Sequence, residues 1–298
     1  MNRRQFISRG AALLAAGSIA NQQLLAGTAA KQNKGRIGIQ LYSVKDVLPK
    51  DFEGTLKKLS AMGYSLVEPY SFNGTKFIDR YTMKELSIMV KDMGMSISGS
   101  HVSGRILPED VNAPEWDAWK KIATELRSGG GKWVIQASFP GRLENANMDV
   151  LKRAVEHFNR AGEICKKAGV KYAYHNHDAE MRKVDGVVIL DYLIKNTDPK
   201  LVSFQLDMGH VVNGGGDCVR YLREFPERIP LWHASDFDLA TRKYVELGRG
   251  SVPYKTLFGL PKTGGLKQLT VEQETEGDIF ASCKEDFDYL KQFKWTKV

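Results

Sequence analysis

Residues 170–180 read VKYAYHNHDAE, and this stretch links a strand-like run to a cluster of chemically active side chains. The run from Val170 to Tyr174 is apolar and rich in β-formers, and metal-binding or proton-transferring side chains follow at once. Three later strand-like runs end in the same way. Because buried charge is costly unless it is paired or bound to a metal, four successive strand ends of this kind indicate function rather than packing. The strand-end residues are His175, His177 and Glu180, then Asp207 with His210, His233 with Asp236, and Glu272.

From Gly35 onward, short β-rich runs alternate with helical patterns. The predicted strands cover residues 37–42, 66–70, 95–101, 133–138, 171–177, 201–207, 230–235 and 269–274. The predicted helices cover residues 51–62, 82–93, 114–126, 149–167, 187–196, 217–225, 254–258 and 280–293. Alternation implies parallel strands, and eight strand–helix units in about 260 residues predict an α/β fold of the closed (β/α)8 TIM-barrel type. No GxGxxG motif follows the first strand, which disfavours an open dinucleotide-binding sheet.

Active sites of such barrels lie at the C-terminal ends of the strands, so the strand-end residues are expected to meet. Side chains alternate along a strand, which puts His175 and His177 on one face. Further candidates for substrate binding at this end are Glu68, His101, Gln136, His210 and Asp236, with Tyr42, Tyr70 and Trp232 as aromatic walls for a sugar ring.

The N-terminus is expected to be a leader rather than part of the barrel. Arg3, Arg4 and Phe6 precede a mild apolar stretch at residues 11–20, and small residues follow at 28–30. This order is typical of a signal peptide, and the paired arginines resemble the twin-arginine export signal of bacteria. We therefore predict a leader at residues 1–30, a single barrel domain at 31–298, and a periplasmic protein with no stable membrane anchor after cleavage.

Composition limits the possible partners. The net charge is +8, and no basic run is interleaved with aromatic residues, so no nucleic-acid partner is expected. Three separated cysteines without a CxxC spacing imply neither a disulfide framework nor a cysteine metal site. A small carbohydrate is the expected partner, and the sequence leaves homo-oligomerisation open.

Each candidate also has a structural alternative. Asp207 can cap a helix, His233 can be a core histidine bonded to backbone, and Glu272 can form an interior salt bridge. Against these, Glu272 lies in an apolar run, and Asp236 is near enough in sequence to orient a ligating His233.

Together, the blocks at the strand ends resemble the xylose-isomerase-like TIM-barrel superfamily, known broadly as sugar phosphate isomerases/epimerases. The resemblance covers residues 36–293 and implies one divalent metal ion, Mn²⁺ or similar, held by the fifth to eighth strands. The blocks that carry it are Gly38–Ser43, His175–Asp178, Leu206–His210, His233–Asp236 and Val271–Gln273.

By this resemblance Asp207, His233 and Glu272 match the ligands of the sixth, seventh and eighth strands. The fifth-strand ligand is usually Glu, and here either His175 or a Glu180 that reaches back can take its place. Such a mixed set is also compatible with Zn²⁺, Co²⁺ or Fe²⁺.

The resemblance also implies a mechanism. The ion polarises a carbonyl, or binds adjacent oxygens of a sugar, and a positioned base removes the acidified proton. His175, His177 and Glu272 are the candidate bases. Returning the proton elsewhere from the enediolate isomerises or epimerises the sugar, whereas expelling a β-leaving group gives a lyase or hydratase.

Export favours an unphosphorylated substrate, because phosphorylated sugars are scarce outside the cytoplasm. The first expectation is therefore a metal-dependent sugar isomerase/epimerase. The alternatives are a 3-keto-glycoside lyase/hydratase and a non-catalytic carbohydrate-binding barrel. An endonuclease for abasic DNA, which shares the superfamily, is disfavoured by the export signal and by a total of six histidines.

Overall fold

Nine parallel strand segments, two of which are halves of one strand, form the barrel in the computed structural model. They are Ile37–Gln40, Leu66–Glu68, Ser96–Ile97 with Gly99–Val102, Trp133–Gln136, Lys171–His175, Val202–Asp207, Leu231–Ala234 and Gln268–Val271. The structure describes residues 36–103, 113–141, 143–261 and 265–295, so the leader predicted at residues 1–30 lies outside it. The predicted (β/α)8 barrel is confirmed.

The third strand closes the barrel by changing its partner at Ser98. Its first half, Ser96–Ile97, pairs with the second strand, and its second half, Gly99–Val102, pairs with the fourth. At the break, the Ser98 N–H donates to the Val67 carbonyl and the Lys132 N–H donates to the Ser98 carbonyl, both at 3.0 Å. Since the first strand also pairs with the eighth, the hydrogen-bonded ladder runs around the whole ring.

Except for Met208–Asn213, the helices lie where the sequence predicts them, within a few residues. The long ones are Phe52–Met62, Met83–Asp92, Glu115–Ser128, Met148–Ala168, Ile189–Asn196 and Ile279–Leu290, and the short ones are Met208–Asn213, Cys218–Glu224 and Tyr254–Phe258. Local signals set their ends. Asp51 caps the first helix by accepting the Gly54 N–H at 3.0 Å, and Gly63 ends it with a φ of 113°.

Besides a short hairpin of Lys183–Val184 and Val187–Val188, which delays the fifth predicted helix to Ile189, two elements at the top of the barrel are not predicted from the sequence. The helix Met208–Asn213 begins directly after the sixth strand, because Asp207 accepts the His210 N–H at 2.8 Å and caps it. A hairpin of Asp236–Asp238 and Lys243–Val245 follows the seventh strand. Both segments are too short to show a clear hydrophobic period.

Side chains inside the barrel change from apolar to polar toward the C-terminal ends of the strands. Trp133, Ile135, Ala173 and Leu231 form an apolar cluster separate from the main core. Alternation places His175 and His233 two residues further along the same strand faces as Ala173 and Leu231. The polar layer therefore lies on an apolar floor.

Among the described residues, no helix combines the length and the apolar character needed to cross a bilayer. Cys165, Cys218 and Cys283 are buried and free of disulfides, consistent with small core residues.

Candidate metal centre at the mouth of the barrel

Four side chains converge where the fifth to eighth strands end. His175 ends the fifth strand, Asp207 ends the sixth, His233 lies on the seventh, and Glu272 directly follows the eighth. Strand register brings them level, since His233 is paired with Asp207 and the Glu272 N–H donates to the Ala234 carbonyl at 3.0 Å. All four are buried, and one ligand atom from each lies within 4.8 Å of the others.

Two ligand-type atoms of this cluster lack a hydrogen-bond partner. Neither His175 Nε2 nor Asp207 Oδ2 has one within the described part of the chain, although both side chains are fully buried. Leaving such an atom unpaired costs about 1–3 kcal/mol. Imidazole nitrogen and carboxylate oxygen are also suitable ligands for a divalent transition metal. The donor set therefore fits a metal ion.

His233 lies among three carboxylates. Its Nδ1 is 2.9 Å from Glu272 Oε2 and 3.8 Å from Asp207 Oδ2, and its Nε2 is 2.7 Å from Glu68 Oε1. Burial alone would lower the pKa of His233, but Glu68 and Glu272 raise it to about 10. Burial alone would raise the pKa of Glu272, but the adjacent His233 holds it below its ordinary value. The surroundings of His233 therefore favour a positive charge.

A cavity of about 360 Å³ opens at this cluster, and His175 and Glu272 both line it. Its walls include Tyr42 and Tyr70, whose rings pack edge to face with centroids 5.6 Å apart. A cavity of this size and mixed lining suits one small polar ring.

His177 and His210 face each other in the cavity wall. Their ring centroids are 4.6 Å apart, and the His177 ring lies 5.0 Å from that of His175. Burial and the neighbouring His210 lower the pKa of His177 to about 4. Burial would also lower the pKa of His210, but the Asp207 and Glu274 carboxylates raise it above its ordinary value. The two imidazoles therefore differ in their preference for a proton.

Glu274 and Tyr244 complete the surroundings of His210. Glu274 Oε1 lies 3.7 Å from His210 Nε2, and the Tyr244 hydroxyl lies 2.6 Å from His210 Nδ1. Burial and the nearby Glu272 raise the pKa of Glu274 to about 7. These three residues place groups that donate and accept protons beside the cavity.

Two of the predicted substrate-binding residues face away from the cavity. Gln136 Oε1 lies 2.9 Å from Nε2 of His157, which belongs to the helical layer. Trp232 is fully buried, with its ring centroid 5.7 Å from that of Phe258. Each residue lies next in sequence to one that points into the barrel, so alternation turns it outward.

Asp236 and Glu180 accept hydrogen bonds from backbone N–H groups and do not belong to the four-residue cluster. Asp236 accepts N–H groups from four residues of the loop after the seventh strand and does not orient His233. Glu180 accepts the Tyr174 hydroxyl, and its Oε2 accepts the His177 N–H at 3.1 Å. In this geometry His175, and not Glu180, is the fifth-strand member of the cluster.

Glu68 and His101, also predicted to bind substrate, lie at different depths. His101 lines the cavity, and its Nε2 is 2.8 Å from Gln205 Oε1. Glu68 is fully buried and contacts His233 from the side opposite Glu272. Glu68 therefore supports the cluster and does not face the cavity.

Sequence reasoning missed Glu274, Tyr244 and Gln205. Glu274 is two residues beyond Glu272, so a period of two could have identified it. Gln205 likewise lies two residues before Asp207 on the same strand face. Tyr244 comes from the hairpin after the seventh strand, and nothing in its local sequence marks it.

The chain is similar to known proteins along most of its length. The chain is 37% identical to an inosose dehydratase of Geobacillus kaustophilus over 251 residues, which are 81% of this chain and 74% of that protein. A solved sugar phosphate isomerase/epimerase from Parabacteroides distasonis superposes with a TM-score of 0.76 at 29% identity, covering 89% of this chain and 96% of that one.

A further fold neighbour is a protein named IOLI, solved with a bound zinc atom. It has a TM-score of 0.67 at 14% identity, covering 86% of this chain and 95% of that one. The family model of the xylose isomerase-like TIM barrel matches residues 56–297. The chain belongs to the xylose isomerase-like TIM-barrel family, whose relatives named here include enzymes that dehydrate, isomerise or epimerise their substrates.

Proposed function

We propose that the chain is a divalent-metal-dependent lyase that removes water from a cyclic keto-polyol of the inosose type. The observation that carries the proposal is the buried four-donor cluster with two unpartnered ligand atoms, which opens onto a small polar cavity. The inosose dehydratase relative supports elimination, the alternative in the sequence analysis, over the isomerisation expected first.

The proposed ligands are His175 Nε2, His233 Nδ1, and carboxylate oxygens of Asp207 and Glu272. A bound Mn²⁺, or alternatively Zn²⁺, Co²⁺ or Fe²⁺, would supply Lewis-acid chemistry that acidifies the C–H next to a carbonyl. Glu68 holds the second nitrogen of His233, an arrangement common among metal-bound histidines.

His177 is the proposed base, because its ring faces the cavity beside His175 without belonging to the four-donor cluster. It takes the proton from the carbon next to the carbonyl. The electron pair of that C–H bond forms a C=C bond, and the C–O bond at the following carbon breaks. The reaction needs no oxidant or reductant.

Glu274 and His210 are the proposed proton donors to the departing hydroxyl. They face each other at 3.7 Å in the cavity wall, and Tyr244 holds the other nitrogen of His210. The hydroxyl leaves with the donated proton as water. Tyr42 and Tyr70 would cover the apolar face of the substrate ring.

Isomerisation or epimerisation is a second candidate, favoured by the Parabacteroides distasonis structure. In that reaction His177 would remove the same proton, and the proton would return to carbon without loss of a hydroxyl. A 3-keto-glycoside would instead lose its aglycone in place of water. These outcomes differ in their products, so one substrate panel separates them.

The test uses mature protein purified without chelator and loaded with Mn²⁺, Co²⁺ or Zn²⁺. An inosose, free ketoses and a 3-keto-glucoside are each incubated in D₂O and followed by mass spectrometry and NMR. Loss of one water from the inosose supports the proposal. Deuterium exchange without loss of water would replace it with the epimerase, and release of an aglycone would replace it with the glycoside lyase.

A matched pair of variants links activity to the cluster. Asp207→Asn changes a cluster carboxylate, whereas Asp149→Asn changes an exposed carboxylate on the helix Met148–Ala168. We expect turnover to be lost in the first variant and kept in the second. Equal turnover in both variants would contradict the proposed site.

A further inference from the structure

We infer that Glu68 and Gln205 are positioning residues for both histidines of the proposed metal centre, Glu68 fixing the ring orientation of His233 and the two together fixing which ring nitrogen of His175 carries the hydrogen. The inference rests on that centre but not on the reaction it performs. Neither residue is a proposed ligand, and Glu68 does not line the cavity.

Glu68 is an acceptor surrounded by N–H donors. Its Oε1 is 2.7 Å from His233 Nε2 and accepts from Gln40 Nε2 at 3.1 Å, and its Oε2 accepts from Gln268 Nε2 at 3.3 Å. Gln205 Nε2 lies 3.2 Å from both oxygens. N–H donors surround both Glu68 oxygens, so this buried carboxylate acts as a hydrogen-bond acceptor.

The acceptor role of Glu68 fixes the orientation of the Gln205 amide. With Nε2 toward Glu68, Gln205 donates to the carboxylate, whereas the reversed amide would place its oxygen 3.2 Å from two carboxylate oxygens. That contact would be repulsive and would leave the carboxylate without this donor. Gln205 Oε1 must therefore point away from Glu68.

Gln205 Oε1 faces two imidazoles, at 2.8 Å from His101 Nε2 and 3.1 Å from His175 Nδ1. An amide oxygen only accepts, so each of these nitrogens must carry a hydrogen. A neutral imidazole has one N–H, so His175 with its hydrogen on Nδ1 has a free lone pair on Nε2. This Nε2 is one of the two unpartnered atoms of the four-donor cluster.

His233 is oriented by the same carboxylate without an intermediary. Its Nε2–H donates to Glu68, so Nδ1 is the atom directed toward Asp207 and Glu272. One buried carboxylate thus orients two ligands, His233 directly and His175 through an amide. Outer partners of this kind change metal affinity by about 10- to 100-fold when they are removed.

The test is a histidine NMR experiment on the mature protein, labelled with ¹⁵N-histidine and kept free of metal. Long-range ¹H–¹⁵N spectra distinguish the two ring nitrogens, and six histidines make few enough signals for assignment by single substitution. Zn²⁺ affinity is measured separately by competition with a coloured chelator. Gln205→Met removes the side-chain amide that links Glu68 to His175 and replaces it with a side chain of similar volume.

Gln268→Met is the matched control. Gln268 also donates to Glu68, at 3.3 Å, but no hydrogen bond joins it to a histidine among the described residues. Both variants therefore remove one donor from the same carboxylate, and only Gln205→Met frees His175. Circular dichroism checks that both variants remain folded.

We expect His175 to carry its hydrogen on Nδ1 in the wild type and in Gln268→Met. In Gln205→Met we expect a mixture of both forms and Zn²⁺ affinity about 10- to 100-fold weaker. A wild-type His175 with its hydrogen on Nε2 overturns the inference whether or not the variants fold. Zn²⁺ affinity in Gln205→Met within about threefold of the control also overturns it. Absence of Zn²⁺ binding to the wild type would instead contradict the proposed metal centre. The NMR result would still show which nitrogen of His175 carries the hydrogen.

Discussion

Substituting Asp207 with asparagine should separate metal binding from folding. Asp207 Oδ1 accepts the His210 N–H at 2.8 Å and the Ser235 hydroxyl at 2.6 Å, whereas Oδ2 has no hydrogen-bond partner among the described residues. Asparagine keeps an oxygen for both bonds and replaces only the unpartnered atom. The variant loses a long ion pair of 3.8 Å to His233, so metal-free stability should stay within about 1 kcal/mol of the wild type.

With metal present, the two proteins should diverge. A ligand at about 100 times its dissociation constant stabilises the folded state by about 2.7 kcal/mol, which corresponds to roughly 5 to 11 °C in Tm for a chain of this size. The wild type should gain this shift on adding Mn²⁺ or Zn²⁺, and Asp207→Asn should gain little of it. Differential scanning calorimetry with and without metal measures both values.

The control for this experiment is Asp191→Asn, on the helix Ile189–Asn196. Asp191 pairs with Arg220 through both oxygens, at 2.7 and 3.1 Å, away from the cluster. Its loss should lower stability by about 1–3 kcal/mol equally with and without metal. If Asp207→Asn behaved like this control, losing the same stability with and without metal, Asp207 would be a structural residue and not a metal ligand.

Three further predictions concern the fold, the cavity and the leader. Burial raises the pKa of Asp286 to about 7. The stability that its protonated form contributes is therefore full below about pH 4 and is lost as the pH rises through about 7. In Asp286→Asn, the free energy of unfolding in urea should no longer show this fall between about pH 5 and about pH 8. Replacing Tyr42, which packs on Tyr70 at the cavity, with alanine should raise KM several-fold without changing metal content, and an unchanged KM would remove Tyr42 from the substrate wall. Changing Arg3 and Arg4 to lysine should leave unprocessed precursor in the cytoplasm of cell fractions, and normal processing would contradict the twin-arginine proposal.

The barrel was predictable because its signals are local and repeated. Asp51 and Gly63 mark the two ends of the helix Phe52–Met62, which lies where the sequence predicts a helix at residues 51–62. The break at Ser98 was not predictable, because it results from closing the ring rather than from a preference of Ser98 itself.

The alternation of side chains along a strand explains why some predicted site residues join the cluster and others do not. Four predicted site residues lie together because each is at a strand end and has a side chain that points into the barrel: His175, Asp207, His233 and Glu272. Gln136 and Trp232 lie just as close to strand ends but on the outer face. A prediction based only on closeness to a strand end ignores this alternation. Taking every second residue from one that points inward would have excluded Gln136 and Trp232.

Other parts of the site depend on contacts distant in sequence. The sequence left Glu180 as one of two possible metal ligands of the fifth strand. In the fold, its carboxylate instead accepts hydrogen bonds from the Tyr174 hydroxyl and the His177 N–H. Glu68 accepts hydrogen bonds from Gln205 and Gln268, at separations of 137 and 200 residues. No local pattern contains such information, so only the folded barrel shows which buried amide meets which carboxylate.

The most direct test of the proposed metal centre is an anomalous diffraction map from crystals of the mature protein grown with Mn²⁺, measured on and off the metal edge. We expect one strong peak per chain, bounded by His175 Nε2, His233 Nδ1 and carboxylate oxygens of Asp207 and Glu272. A peak elsewhere at full occupancy, or no peak at saturating Mn²⁺, Zn²⁺ or Co²⁺, would contradict the proposed metal centre.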